Sequence, residues 1–282
     1  MILGVEVPAP LMTKWRRWLA PRLQPFFVST LAFDLPTSAQ GEMTPELRDT
    51  FRAYSVDRDL QTVWLSEQMF VDLNRKTRAQ LVRAQVNHGR GAVPVVRRWE
   101  ELLDPAVLRA QADGHRFVWW PSLFVNDLGA VLDRVVSEDR LPSRHAEVHE
   151  TCWERCAELL PGARALAGTF PSRSGPNCFG TVMAASGLAK AADAWMLAAP
   201  FENWLDETTR RGGDDDSPGT VLVWRDHNGG ARHAAVTIGD GWGLEKPSQD
   251  WHSPRGVSAV QDLIRSNRIR GWRLQRRQLI RA

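Results

Sequence analysis

Ser174-Gly175-Pro176-Asn177-Cys178-Phe179-Gly180-Thr181-Val182-Met183-Ala184-Ala185 joins a Gly/Pro loop to a run of small and apolar residues, with a cysteine at the junction. A run with no polar face reads as a buried helix, extending to about Gly187. Cys178 then falls on the first helical turn. Unpaired backbone N–H groups and the positive end of the helix dipole favour a thiolate there, and the thiolate is the nucleophilic form of cysteine. Such a helix needs a surface to bury against, and a nucleophile needs a base.

The surface is expected downstream, where the hydrophobic period changes from helical to two. Thr220–Arg225, His233–Gly239 and Trp242–Lys246 read as strands. Asp226–Gly230 forms the first turn and Asp240-Gly241 a tight hairpin. The arginine-rich tail from Arg268 to Arg276 is placed as a last strand. Helices followed by an antiparallel sheet give an α+β arrangement. Between helix and sheet, a second amphipathic stretch runs through Trp195, Met196, Trp204 and Leu205, and the acidic loop Asp214–Asp216 reads as a solvated turn.

Upstream, Thr44-Pro45-Glu46 is a helix start: a capping hydroxyl, a proline at the first helical position and an acid in the first turn. Apolar residues from Asp59 to about Val86 predict one long helix, and further helices are expected over Trp99–Ala110 and Asp127–Val136. Phe26–Phe33 reads as extended, and Arg116–Trp120 as a short strand ended by Pro121. A polar break near Pro142 suggests a mainly helical region over 1–143, of unassigned role, and a second domain over 144–282.

The segment His145–Leu160 is expected as one helix carrying His145, His149, Cys152 and Cys156 on one face. Those four positions span about 16 Å of helix, too far to meet one metal ion. They are expected to form a half-buried stripe in which the cysteines act as small hydrophobes. No metal or other cofactor is expected.

Composition narrows the function classes. The chain has 282 residues and a net charge of only +3, so no strong global field calls for nucleic acid or a membrane surface. The tail arginines alternate as on a solvated strand, with only Trp272 among them as a stacking aromatic. Three cysteines do not make a disulfide framework and suit a reducing compartment. The N-terminus lacks the basic start and apolar run of a signal peptide, and no apolar run reaches bilayer-spanning length, so the expected address is the cytoplasm.

Of the seven histidines, His233 is the best placed base for Cys178, at the start of a strand that can pack on the cysteine's helix. Ala235 beside it leaves room for a substrate. Glu245 lies beyond the Asp240-Gly241 turn, on the neighbouring strand about 4.8 Å away, where a carboxylate can accept the imidazole N–H and fix its tautomer. Lys246 points to the opposite face and is expected to be dispensable. The Cys178 N–H would supply part of an oxyanion hole, with Ser172, Ser174 or Asn177 offering a second donor.

Asn177-Cys178-Phe179-Gly180, Gly219–Trp224 and His233–Gly241 together resemble the NlpC-type branch of papain-like cysteine peptidases and the related CHAP amidases. The resemblance covers roughly residues 168–246. It implies a papain-like helix-plus-sheet core with Cys178 as nucleophile, His233 as base and Glu245 as orienting residue. Glutamate at the third position is the CHAP variant, histidine being usual in NlpC-type proteins. Asn177, Phe179 and Thr220 stand where those families usually carry acid, serine and aspartate. The implied activity is hydrolysis of an amide bond through an acyl-thioester, on a small-molecule or peptide substrate with an amide or (thio)ester bond. Acyl or peptidyl transfer by the same triad is the alternative, since related permuted papain-like enzymes include acyltransferases. A non-catalytic binding protein is the reading from another class. Oligomeric state is not specified by the sequence.

Overall fold

The computed structural model describes residues 1–29, 40–124 and 128–280. The end of the expected Phe26–Phe33 extended run and the start of the expected helix at Asp127 lie outside these residues. The chain divides into two compact units, Pro8–Val135 and Met1–Val7 with Val136–Ala282. No helix among the described residues is long and apolar enough to cross a membrane.

The Pro8–Val135 unit contains α1 (Ala9–Leu19), β1 (Leu23–Val28), α2 (Pro45–Thr50), β2 (Gln61–Ser66), α3 (Glu67–Asp72), α4 (Arg75–Asn87) and α5 (Pro105–Gln111). α6 (Leu128–Ser137) runs across its end. Thr44 caps α2 as expected, its hydroxyl accepting the Leu47 N–H at 3.3 Å. The expected long helix from Asp59 to Val86 is instead a strand and two helices. Thr62, Val63 and Trp64 are strand formers, and β2 pairs antiparallel with β1, Val63 opposite Phe26. Ser66 then starts α3 by accepting the Met69 N–H at 3.2 Å, and Asn74 starts α4 by accepting the Thr77 N–H at 2.9 Å. Two capping side chains thus divide what the apolar spacing alone joins.

Trp99–Ala110 is helical only from Pro105, where Asp104 Oδ1 accepts the Ala106 N–H at 2.7 Å. Arg116–Trp120 makes a single bridge, Val95 to Arg116, rather than a strand. Phe117 to Trp120 are nevertheless all buried. Phe26, Phe70 and Trp120 pack ring against ring, with centroids 5.4 to 6.1 Å apart. Arg90 lies buried beside them, its Nε donating to Pro25 O and its Nη2 to Gln24 Oε1, both at 3.0 Å. Its guanidinium sits 4.2 Å from the Phe51 ring centre and 5.0 Å from that of Phe26.

The second unit holds α7 (Glu150–Cys156), α8 (Ala163–Leu166), α9 (Cys178–Ala185) and α10 (Ala198–Thr208). Its strands are β3 (Thr209–Arg211), β4 (Thr220–Arg225), β5 (Ala231–Gly239), β6 (Trp242–Glu245) and β7 (Gly256–Ala259). α11 (Val260–Ser266) and β8 (Arg273–Leu279) complete it. The six strands form one antiparallel sheet in the order β3-β8-β4-β5-β6-β7. This is the expected mixture of helices and an antiparallel sheet. Asp240 and Gly241 both take positive φ, +52° and +74°, the backbone that a tight two-residue hairpin requires. The last strand starts at Arg273, later than expected, because Val260–Ser266 is helical and Gly271 turns the chain.

His145–Leu160 is not one helix. A single 3-10 turn, His145–Glu147, precedes α7, and His149 is the N-cap, its Nδ1 accepting the Thr151 N–H at 3.3 Å. The two histidines therefore leave the helix face, and His149 is exposed. Cys152 and Cys156 remain on α7 and are buried in the apolar core. Burial pushes both thiols up, Cys156 to about 11.

Met1–Val7 folds with this second unit. Ile2 and Val5 bridge each other, and Leu3 O accepts the Ser143 N–H at 2.8 Å.

Candidate functional site

Cys178 is the first residue of α9, and the local sequence explains why the helix begins there. Asn177 is extended, at φ −135° and ψ −174°, and its Oδ1 accepts the Gly180 N–H at 3.1 Å. Its Nδ2 donates to Met196 O at 2.7 Å, tying the cap to the segment before α10. All eight residues of α9 are buried, as an all-apolar helix demands. Phe179, Val182 and Met183 join Val221, Val223, Val236, Ile238 and Leu244 of the sheet in one core, and Phe179 stacks on Phe201 of α10 at 4.3 Å. Gly180 permits a close approach: a Cβ there would lie 2.4 Å from Ala191 O.

The loop that delivers the cysteine is anchored too. Gly175, at φ +113°, donates its N–H to Gln249 O at 2.9 Å. Ser174 is buried and Ser172 is exposed. Asn177 is engaged as the helix cap, so the Cys178 N–H, which has no intrahelical partner at this position, is the donor nearest the sulfur by covalent geometry.

His233 and Glu245 come together through strand register. Glu245 pairs with Ala235, two residues along β5 from His233, a diagonal within reach of long side chains. His233 Nε2 lies 2.8 Å from Glu245 Oε2, and both side chains are buried. Trp224 of β4 is directly opposite His233 and packs on its ring, with centroids 5.3 Å apart. The Cys178 side chain also acts on His233, raising the imidazole together with Glu245. With Nε2 committed to Glu245, Nδ1 is the nitrogen left to face the sulfur.

Burial by itself lowers His233, but hydrogen bonds to Cys178 and Glu245, and their charges, outweigh it and raise the imidazole to about 10. The three groups form a series of thiol, imidazole and carboxylate. Such a series can move a proton from sulfur to nitrogen while the carboxylate holds the ring.

Sequence reasoning misses three neighbours. Trp224 is legible as a strand residue but not as the ring packed on the imidazole. Asn267, at the end of α11, donates from Nδ2 to Glu245 Oε2 at 3.0 Å; it lies 22 residues from Glu245, and nothing local marks it. The third is Lys246, expected on the strand face opposite His233. It is wholly buried and donates from Nζ to Ser248 O and Asp250 O, the latter at 3.1 Å. Burial, with Arg255 nearby, lowers it to about 7, against opposing pulls from Asp250 and Cys178.

These two shifts have opposite consequences for stability. Between 6.5 and about 10 the folded state keeps a proton on His233 that the unfolded chain has released, so this contribution is complete below 6.5 and fades as pH rises. Between about 7 and 10.5 the unfolded chain keeps a proton that folded Lys246 has lost, so the burden of Lys246 is complete below 7 and fades as pH rises. The expected result is a shallow pH dependence of unfolding for this unit from about pH 7 to about pH 10. Lys246→Met should expose a fall in stability over that range. Urea unfolding at steps of about one pH unit across it checks this; a variant as flat as wild type would contradict it.

Compared with known protein families, characterised proteins and solved structures, the chain matches none. The geometry of the Cys178 site therefore carries the functional argument alone.

Proposed function

We propose that the protein is a cysteine-dependent amide-bond hydrolase with a papain-like core, its catalytic residues all in the unit that contains the six-stranded sheet. The observation that carries the reading is the series Cys178–His233–Glu245, in which His233 bonds Glu245 and is raised by both neighbours, with the sulfur on the first turn of a buried helix.

In the proposed cycle His233 Nδ1 already holds the Cys178 proton, as the raised imidazole favours, and the thiolate attacks the substrate carbonyl carbon. The carbonyl oxygen becomes an oxyanion, met by the Cys178 backbone N–H and the dipole of α9. The tetrahedral intermediate collapses, the carbon–nitrogen bond breaks, and the departing amine receives the proton from His233. Water then attacks the thioester, giving its proton to His233. The sulfur leaves and the carboxylic acid is released. Glu245 keeps Nε2–H in place throughout and stabilises the imidazolium each time it forms.

The test is to trap the acyl-enzyme. Intact protein is mixed with a panel of peptidyl p-nitroanilides and p-nitrophenyl esters and quenched in acid for peptide mass analysis. The expected result is an acyl adduct on Cys178 that hydroxylamine removes and His233→Ala does not form. Adding a primary amine distinguishes hydrolysis, which gives only the acid, from transfer, which gives a new amide. An adduct formed equally well by His233→Ala, or none on Cys178, would overturn the proposal.

A further inference from the structure

Glu245 is held by more than its histidine. Asn267 is the C-cap of α11, and its side-chain nitrogen lies 3.0 Å from Glu245 Oε2 and 3.0 Å from Leu263 O. A carbonyl oxygen can only accept, so the group facing Leu263 O must be the NH2 end of the amide. That fixes the orientation of Asn267 without appeal to the carboxylate. One amide hydrogen goes to the helix end and the other to Glu245.

The same Glu245 oxygen, Oε2, meets both Asn267 Nδ2 and His233 Nε2. An oxygen that accepts the amide N–H presents its remaining lone pair to the histidine. The second partner is then required to donate as well, so Nε2 carries the hydrogen and Nδ1 is the basic nitrogen. Asn267 thereby gives the carboxylate an anchor that does not depend on the imidazole. α11 itself is well seated, with Val260 and Leu263 buried against Leu222, Trp224 and Ala235 of the sheet.

We propose that Asn267 is a positioning residue that keeps Glu245 aimed at His233, so that the end of α11 sets the tautomer of the imidazole facing Cys178. The consequence for catalysis rests on the hydrolase reading above. The local electrostatic role does not, and can be measured without a substrate.

The full chain, labelled with ¹⁵N-histidine, is titrated by NMR, and the His233 signals are assigned by their loss in His233→Gln. Asn267→Ala should lower the His233 midpoint by about one pH unit, a tenfold change in proton affinity, because the carboxylate is no longer held. Asn267→Leu, which keeps the approximate shape but has no donor, should likewise not restore the wild-type midpoint. Iodoacetamide labelling of Cys178 near pH 6 should slow about tenfold in both variants. If Asn267 only ends α11, both variants lose thermal stability while the His233 midpoint and the labelling rate stay at wild-type values, and the proposal fails. If wild type forms no acyl adduct on Cys178, the hydrolase reading falls by itself, while the titration still decides the role of Asn267.

Discussion

Cys178→Ala should abolish turnover of any substrate found for this protein, lowering it by on the order of 10⁴- to 10⁶-fold, because the covalent route disappears with the sulfur. Little is expected to change in the fold, since alanine suits a helix and the site lies at the first turn of α9. The comparison with Glu245→Gln gives the result its meaning. That variant keeps nucleophile and base but frees the imidazole to take the other tautomer, so its loss should be smaller, roughly 10- to 10⁴-fold. Labelling provides a second measure. With burial holding Cys152 and Cys156 in the unreactive thiol form, brief iodoacetamide treatment near pH 6 should modify Cys178 first. Turnover retained by Cys178→Ala, or first labelling at Cys152 or Cys156, would remove Cys178 from the mechanism.

Arg90→Ala should destabilise the Pro8–Val135 unit by about 4 kcal/mol. The argument is local. Arg90 is buried between the rings of Phe51 and Phe26 and supplies donors to Pro25 O and Gln24 Oε1. Alanine removes the packed guanidinium, leaves a void between two aromatic rings, and strands two buried acceptors. Arg90→Lys should recover part of the loss, because one ammonium cannot reproduce the two-directional reach of the guanidinium. Urea unfolding followed by tryptophan fluorescence reads the effect. A midpoint for Arg90→Ala within experimental error of wild type would show that the cluster does not depend on this side chain.

The sheet around the site is easier to read than the Pro8–Val135 unit for a physical reason. β4 and β5 are nearly continuous runs of buried, strand-forming residues, and β5 and β6 are joined by Asp240-Gly241, whose backbone conformation follows from its sequence. Their near neighbours in sequence are also neighbours in space. From Asp59 to Val86, by contrast, apolar residues keep a helical spacing across a strand and two helices. The informative signals there are Ser66 and Asn74, which cap, and the strand formers before them. His149 is the same lesson: a side chain that looks like a ligand on a helix face is the residue that starts the helix. At the site, Glu245 can be placed from the hairpin, while Asn267 arrives only through the packing of α11, which local pattern does not encode. Lys246 shows the limit of alternation as a guide, since a residue on the far side of a strand can still be buried.

The pairing of Leu3 O with Ser143 N, 2.8 Å apart, carries a consequence for the order of assembly. During synthesis residues 1–7 emerge long before Ser143, and the strands of the sheet come later still. The segment must therefore wait, unpaired, while the whole of residues 8–135 is made and can already be folding. Closing so long a loop has an entropic cost that grows only slowly with length, so the final state tolerates the arrangement. The unit holding Cys178 becomes complete only when both parts of the chain that compose it are present.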